Sequence, residues 1–339
     1  MKRICSVRTV ISIIAVCIMF FYAAPGHGQR GPGGPERMGG PHGDAGYEMV
    51  SKRVVEEIAM DSVDSVWDSI NGFSVELMAR GAPNLRGVRS TVELKSVYTD
   101  ANIYIYASWP DRTESVFKDI WIKQADGTWQ QADDDEDRLG LLWEIDNSMP
   151  EFSRGRGAME ICHQDPDNAG QMMKSTRLTG GRADLWHWKA ARTNPVGFCD
   201  DQFVDPEGRK SDPGTSAYKD NVNEDGTAPA MMPPGGPMDS PFLFAAEAVP
   251  FDDGAFKPGD RVPAYILRTP DGDRADIEAH GVHEQGYWTV VLKRSLETGN
   301  PSTDVQFAPG GAYVFGVALF DNAGDDDHIK SRPIRLSFE

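Results

Sequence analysis

Long stretches of the chain alternate apolar and polar residues with a period of two. "FSVELMAR", "STVELKSVY" and "NIYIYASW" put apolar side chains at every second position and are rich in β-branched and aromatic residues. That is the pattern of strands with one buried face. Tyr98-Thr99-Asp100-Ala101-Asn102 is a turn signal between the second and third. "RLGLLWEI" is apolar almost throughout, which predicts a strand buried on both faces. The period returns in "RVPAYILR", "GYWTVVLKR", "GAYVFGVALF" and "RPIRLSF". Near the start, "EMVSKRVVEEIAMDSVDSVWDSI" suggests a short helix, and "DLWHWKAAR" reads as a short helix or a strand-to-helix turn.

Between the two groups of strands the pattern fades. Residues 150–260 are rich in Gly, Pro, Asp and Met, and little periodicity remains over residues 194–260. Neither group alone supplies enough strands to close a core. The expected fold is therefore mainly β: a single antiparallel β-sandwich drawing strands from both groups, with a long irregular insertion at residues 194–260.

The N-terminus stands apart. Lys2, Arg3 and Arg8 precede the apolar run "VISIIAVCIMFFYAA", and Gly26 and Gly28 follow it, so residues 1–28 read as a secretory signal peptide. Residues 29–46 are Gly/Pro-rich and read as a linker, leaving residues 47–339 as the folded domain. The expectation is a periplasmic or secreted protein with no membrane span after cleavage. Removing the signal leaves 31 basic against 52 acidic residues, a net charge of −21. Such a surface repels nucleic acid and anionic lipid and suits a basic partner. Two cysteines remain, Cys162 and Cys199, and in an oxidising compartment a disulfide is the simplest expectation for them.

Motifs for hydrolysis, phosphate binding, metalloprotease zinc and dinucleotides are absent from the sequence. Asp133–Asp137 is a contiguous acidic run of the kind found in solvated loops, and "DNVNEDG" lacks the closing Glu of a calcium loop. Histidines carry more information. His163 follows Cys162 in "MEICHQD", His187 lies between Trp186 and Trp188, and His328 follows a core-strand pattern. His, Met, Cys and Lys are the side chains that ligate haem iron, and haem wants flat apolar walls. Trp143, Trp186, Trp188, Met172 and Met173 are the candidate walls.

Several segments together resemble a known family. "SVWDSI", "TVELKSVYTDANIYIYASWPDRT" with Trp109, Asp111 and Thr113, "DRLGLLWEI", "GAMEICHQD", "GGRADLWHWKAAR", "GYWTVVLKRSLET" and "YVFGVALFDNAGDDDHIKS" occur in the family's order. The chain resembles the haem-binding subunit of ethylbenzene dehydrogenase and its relatives in the dimethyl sulfoxide reductase class, and the stand-alone exported cytochrome-type proteins that share the domain. The resemblance implies a haem-bearing sandwich that transfers electrons without substrate chemistry of its own. It also implies a redox partner protein, with a molybdenum-containing oxidoreductase as the candidate. In the dehydrogenase subunits a Met and a Lys hold b-type haem. The Lys falls at Lys330, and the Met position holds Leu142.

In the stand-alone branch a second cysteine ahead of Cys-His allows covalent attachment. Met159 or Ala158 stands there, which leaves either b-type haem or one thioether from Cys162. A thioether at Cys162 would set His163 beside the iron. Histidine ligates neutral, whereas lysine must first lose a proton. The expected axial ligands are thus His163 and His328, with His187 in reserve and Lys330 as the family-based alternative. Cys162, Met173, Trp186 and Trp188 would line the cofactor. A different reading is a module that resembles family-nine carbohydrate-binding modules, with exposed Trp109, Trp186 and Trp188 stacking on glycans.

Overall fold

Thirteen strands join in one sheet that folds over on itself. In chain order they are β1 (Tyr47–Arg53), β2 (Phe73–Met78), β3 (Arg89–Tyr98), β4 (Asn102–Pro110), β5 (Arg138–Glu144), β6 (Ala183–Lys189), β7 (Asp200–Asp205), β8 (Gly208–Ser211), β9 (Ile277–Glu284), β10 (Tyr287–Ser295), β11 (Ala312–Phe320), β12 (Ile329–Ser331) and β13 (Ile334–Phe338). The computed structural model describes residues 47–60, 65–79, 85–149, 180–237, 239–324 and 328–339. The expected signal peptide and linker lie outside them. The described residues fall in one unit, Asp44–Glu339.

One layer runs β8-β7-β6-β5-β11, and the other runs β2-β3-β4-β10-β9. Strand β11 divides its pairing, with Ala318 and Leu319 against β12 and Ala312–Phe315 against β13. β12 leads to β2, and β13 leads through β1 to β3. The six strands β11, β12, β2, β3, β1 and β13 therefore close a ring at one side of the sandwich. Closure removes edges that would otherwise pair with other chains.

The hairpins follow the turn chemistry of the sequence. Thr99 Oγ1 accepts from the amides of Ala101 and Asn102 between β3 and β4. Gln285 and Gly286 both have positive φ, 53° and 80°, which is the two-residue turn that joins twisted strands such as β9 and β10. The core lies between the layers. Val75, Leu77, Val92, Leu94, Ile103 and Ile105 from one layer belong to the same buried cluster as Leu139, Leu141, Trp143, Trp186 and Trp188 from the other.

The mainly β sandwich agrees with the alternating pattern, and three expectations change. The helix suggested near the start is strand β1 followed later by a single 3-10 turn, Ser65–Ser69. β1 runs parallel to both its neighbours, so the sandwich is not wholly antiparallel. No hairpin ties β1 to either neighbour, so no tight turn dictates its direction. The stretch 194–260 is not simply irregular: it supplies β7 and β8 to the main sheet. It also supplies short strands such as Tyr218–Asp220, paired with Tyr265–Leu267. Buried carboxylates on β7 break the apolar alternation that would have marked it.

"DLWHWK" is strand β6, buried along its whole length. Gly281 on β9 makes room for it. A Cβ there would sit 2.4 Å from Trp188 Cζ2 and 3.1 Å from Asn194 Oδ1. The Gly281→Ala variant is expected to lose about 1–3 kcal/mol, because the rigid indole must shift. A lower urea midpoint with an unchanged m-value will show it.

Candidate functional site

Strands β5 and β6 are buried on both faces, so alternation sends their side chains into two different environments. Asp184, Trp186 and Trp188 of β6 point between the layers. Trp186 packs on Trp143 at 5.3 Å, and Trp188 packs on Trp109 and Trp288 at 6.1 and 5.0 Å. Leu185, His187 and Lys189 occupy the opposite, outer face. The rings of Trp143, Trp186 and Trp188, the expected cofactor wall, lie in the interior core, on the other side of the sheet from His187. The same burial removes the glycan-stacking role. Trp109, Trp186 and Trp188 are 3%, 0% and 0% exposed, so no ring face is available to a sugar.

The outer face holds a distinct arrangement. In one cross-strand row, Lys330 of β12 stands beside Ala318 of β11, Ala318 beside Gly140 of β5, and Gly140 beside His187 of β6. At the usual strand spacing this row spans about 14 Å. Its middle carries almost no side chain. Among the described residues a Cβ on Gly140 would meet Ala318 Cβ at 3.8 Å and Leu185 Cδ1 at 3.9 Å, both ordinary van der Waals contacts. The ends are buried: His187 is 4% exposed and Lys330 5%.

Neighbouring rows frame this floor. On one side Phe320 lies against His187 at 5.7 Å, stacks on His328 at 4.5 Å and receives the Arg138 guanidinium at 4.6 Å. On the other, Leu142 packs in a cluster with Leu185, Met149, Ala183 and Val204. Leu142 is the position where the family resemblance puts a methionine ligand. It shares the outer face with Lys330, the position of the family's lysine.

Electrostatics make His187 a base without a proton to give at Nε2. Burial pushes its imidazole well below the ordinary value, and the Lys189 and Arg138 charges push the same way. The ring is neutral. Gln202 Oε1 lies 3.3 Å from Nδ1 and accepts a hydrogen bond from its N–H. Nε2 is left as a buried lone pair with no hydrogen-bond partner. A neutral imidazole with its far nitrogen oriented by an amide is the form that ligates a metal. Among the described residues the row thus carries an unpartnered imidazole nitrogen at one end, Lys330 at the other and the small residues Gly140 and Ala318 between, a donor set of the chemistry that suits a metal centre.

Next to His187, Lys189 donates to Asp200 Oδ2 at 2.5 Å and to the Tyr218 hydroxyl at 2.9 Å. Arg274 donates to the second oxygen of Asp200. Burial would push the Asp200 carboxyl up, but Lys189 and Arg274 outweigh it and hold it below the usual range. These pairs fasten β6 to β7 and so fix His187 and Gln202 in register.

Cys162, His163 and Met173 lie outside the described residues. Cys199, one half of the expected disulfide, carries a free buried thiol whose pKa burial pushes well up. Sequence reading missed Gln202, Gly140 and Phe320. Gly140 was legible in principle, as a glycine inside an apolar strand often marks a close approach. Among the described residues no helix is long and apolar enough to cross a membrane. The Lys189→Met variant is expected to lose about 3 kcal/mol, because a buried carboxylate loses one of its two cations. Equilibrium urea unfolding will measure it.

Among solved structures, a family 9 carbohydrate-binding module from Caldicellulosiruptor kristjanssonii in complex with glucose is 8% identical. The match covers 86% of this chain and 95% of that one, with a TM-score of 0.35. A candidate carbohydrate-binding protein from Bacteroides uniformis is 10% identical over 87% of this chain and 100% of its own, with a TM-score of 0.37. No curated protein matches the chain. The family model described as ethylbenzene dehydrogenase matches residues 64–331. That span runs from just before the 3-10 turn Ser65–Ser69 to the end of β12 and contains the whole row from Lys330 to His187, and so the chain belongs to the ethylbenzene dehydrogenase family.

Proposed function

We propose that the protein is a haem-binding electron-transfer protein or subunit with no substrate chemistry of its own. The observation that carries this reading is the buried, neutral His187 with a bare Nε2, set across a floor of Gly140 and Ala318 from Lys330. Family membership supports it independently. Haem, when bound, supplies a one-electron couple. The chain's part is to orient and enclose it. His187 would hold it from one end of the row and Lys330 from the other, since the two share that row, while His328 is stacked on Phe320 in the next one. A lysine ligates only as the free amine, which the metal's own charge would favour. Gln202 fixes the tautomer of His187.

Location and partnership complete the reading. The sequence pattern of a signal peptide supports an exported, periplasmic or secreted protein. An acidic surface supports docking to a basic redox partner. Within this family a larger molybdenum-containing oxidoreductase is the candidate partner.

The test is the absorption spectrum of the full chain after haem supplementation. Wild type is expected to show a Soret band, and His187→Ala to bind haem about 10–100-fold more weakly. Lys330→Met is expected to shift the spectrum with milder loss. A wild type without a Soret band, or a His187→Ala variant with an unchanged spectrum and affinity, overturns the reading. A pyridine haemochrome assay then separates b-type haem from a single Cys162 thioether.

A further inference from the structure

A second group of chemistry-bearing residues lies between the layers, at the β7–β8 end of the sheet. Asp201 of β7, Asp212 just after β8 and Asp304 in the loop between β10 and β11 are all buried, and each places an oxygen within 4.8 Å of the others. Buried acidic residues that cluster are not by themselves a binding site. Here the partners decide. Both oxygens of Asp201, which is 1% exposed, have no hydrogen-bond partner, and neither do those of Asp212. Backbone folding explains no part of this, because a buried carboxylate without donors costs several kcal/mol.

Charge balance sharpens the point. Asp184 stands alongside, since its charge acts on both Asp201 and Asp212. Among the described residues the facing cation is Arg294, and it is committed elsewhere. Its guanidinium binds Asp184 Oδ2 and the Val305 carbonyl, and stacks on Trp186 and Phe307 at 5.0 and 5.1 Å. Four buried carboxylates share a single positive charge. Burial, and the repulsion of neighbours, push Asp201 well up and Asp212 up to about 7. The second acidic trio of the molecule is different. Asp137 there accepts from Ser115 N, Trp288 Nε1 and Asn322 N, and Asp321 is exposed, so that trio is satisfied without a ligand.

We propose that Asp201, Asp212 and Asp304 bind a hard divalent cation of the calcium class, which fastens the β7–β8 edge to the loop over residues 298–306. The donors are all oxygen, with no imidazole or thiolate, which selects such a cation over zinc or copper. The loop is already shaped for the task. Thr298 Oγ1 and Thr303 Oγ1 donate to the two oxygens of Asp304 at 2.5 and 3.0 Å. Gln306 closes the loop on Thr298, accepting from its amide at 2.9 Å and donating to its hydroxyl at 2.8 Å. The cation ties the β7–β8 hairpin, which carries Asp201 and Asp212, to the distant loop that carries Asp304, and it supplies the charge that Arg294 cannot. This site is independent of the haem reading and lies on the other face of β6.

The experiment uses chelator-treated full chain, titrated with Ca²⁺ by calorimetry and with Tb³⁺ by tryptophan-sensitised luminescence, with Trp186 the neighbouring donor. One site per chain is expected, with Tm raised by about 5 °C at a hundredfold excess over Kd. The Asp201→Asn/Asp212→Asn double variant is expected to bind at least 100-fold more weakly, while Asp321→Asn and His187→Ala bind as wild type does. No heat, no luminescence and no Tm shift with wild type at millimolar Ca²⁺ overturns the proposal. So does a double variant that binds as tightly as wild type. If the double variant does not fold, Asp304→Asn alone is held to the same comparison.

Discussion

The two layers meet at Trp188. Its ring packs edge-on against Trp109 and Trp288 of the opposite layer at 6.1 and 5.0 Å, and its Nε1 donates to Asn194 Oδ1. Asn194 in turn exchanges hydrogen bonds with the backbone of Gly281 on β9. Turning Trp188 inward leaves strand geometry no choice about its neighbours. Trp186 and Asp184 turn inward with it, and His187, Leu185 and Lys189 turn outward. The interior core, the acidic cluster and the outer floor all follow from that one assignment of parity.

The two faces of β6 then manage buried charge in different ways. On the outer side Asp200 is matched by Lys189 and Arg274, so it stays ionised and holds β6 to β7. On the inner side Asp184 is matched by Arg294, while Asp201 has no matching donor. A protein interior rarely leaves a carboxylate in that state without a counter-ion or a proton. The outer face shows an uncharged form of the same imbalance at one atom, the neutral His187 Nε2 with no donor to accept from.

Sequence reading recovered the strands best where one face is solvated and the other buried. The alternation of "STVELKSVY" and "NIYIYASW" became β3 and β4 with their turn in place. It did less well where both faces are buried. "DLWHWK" carries large side chains on two sides, and its period is hidden, so it passed for a short helix. β7, read as part of an irregular insertion, hides its period for a related reason: Asp200, Asp201 and Gln202 are buried through ion pairing, hydrogen bonding and mutual clustering rather than apolarity. His187 and Lys330 were identified as chemistry-bearing residues from their types and from the family pattern. Trp186 and Trp188, expected to line one pocket with His187, stand on the opposite face of β6 from it, because adjacency in sequence places neighbours on opposite sides of a strand.

The amino-acid sequence by itself determined the strand-rich class, most hairpin turns, the acidic balance and the family. Each of these is a property of local pattern, and a strand's alternation is written in its own residues. Only the tertiary structure decided that Lys330, Ala318, Gly140 and His187 share a row, that Gln202 holds the imidazole, and that Asp201, Asp212 and Asp304 converge. The physical reason is register. Residues from strands distant in the chain become neighbours only when the sheet folds over and closes, and a slip of one position would send each of them to the other face.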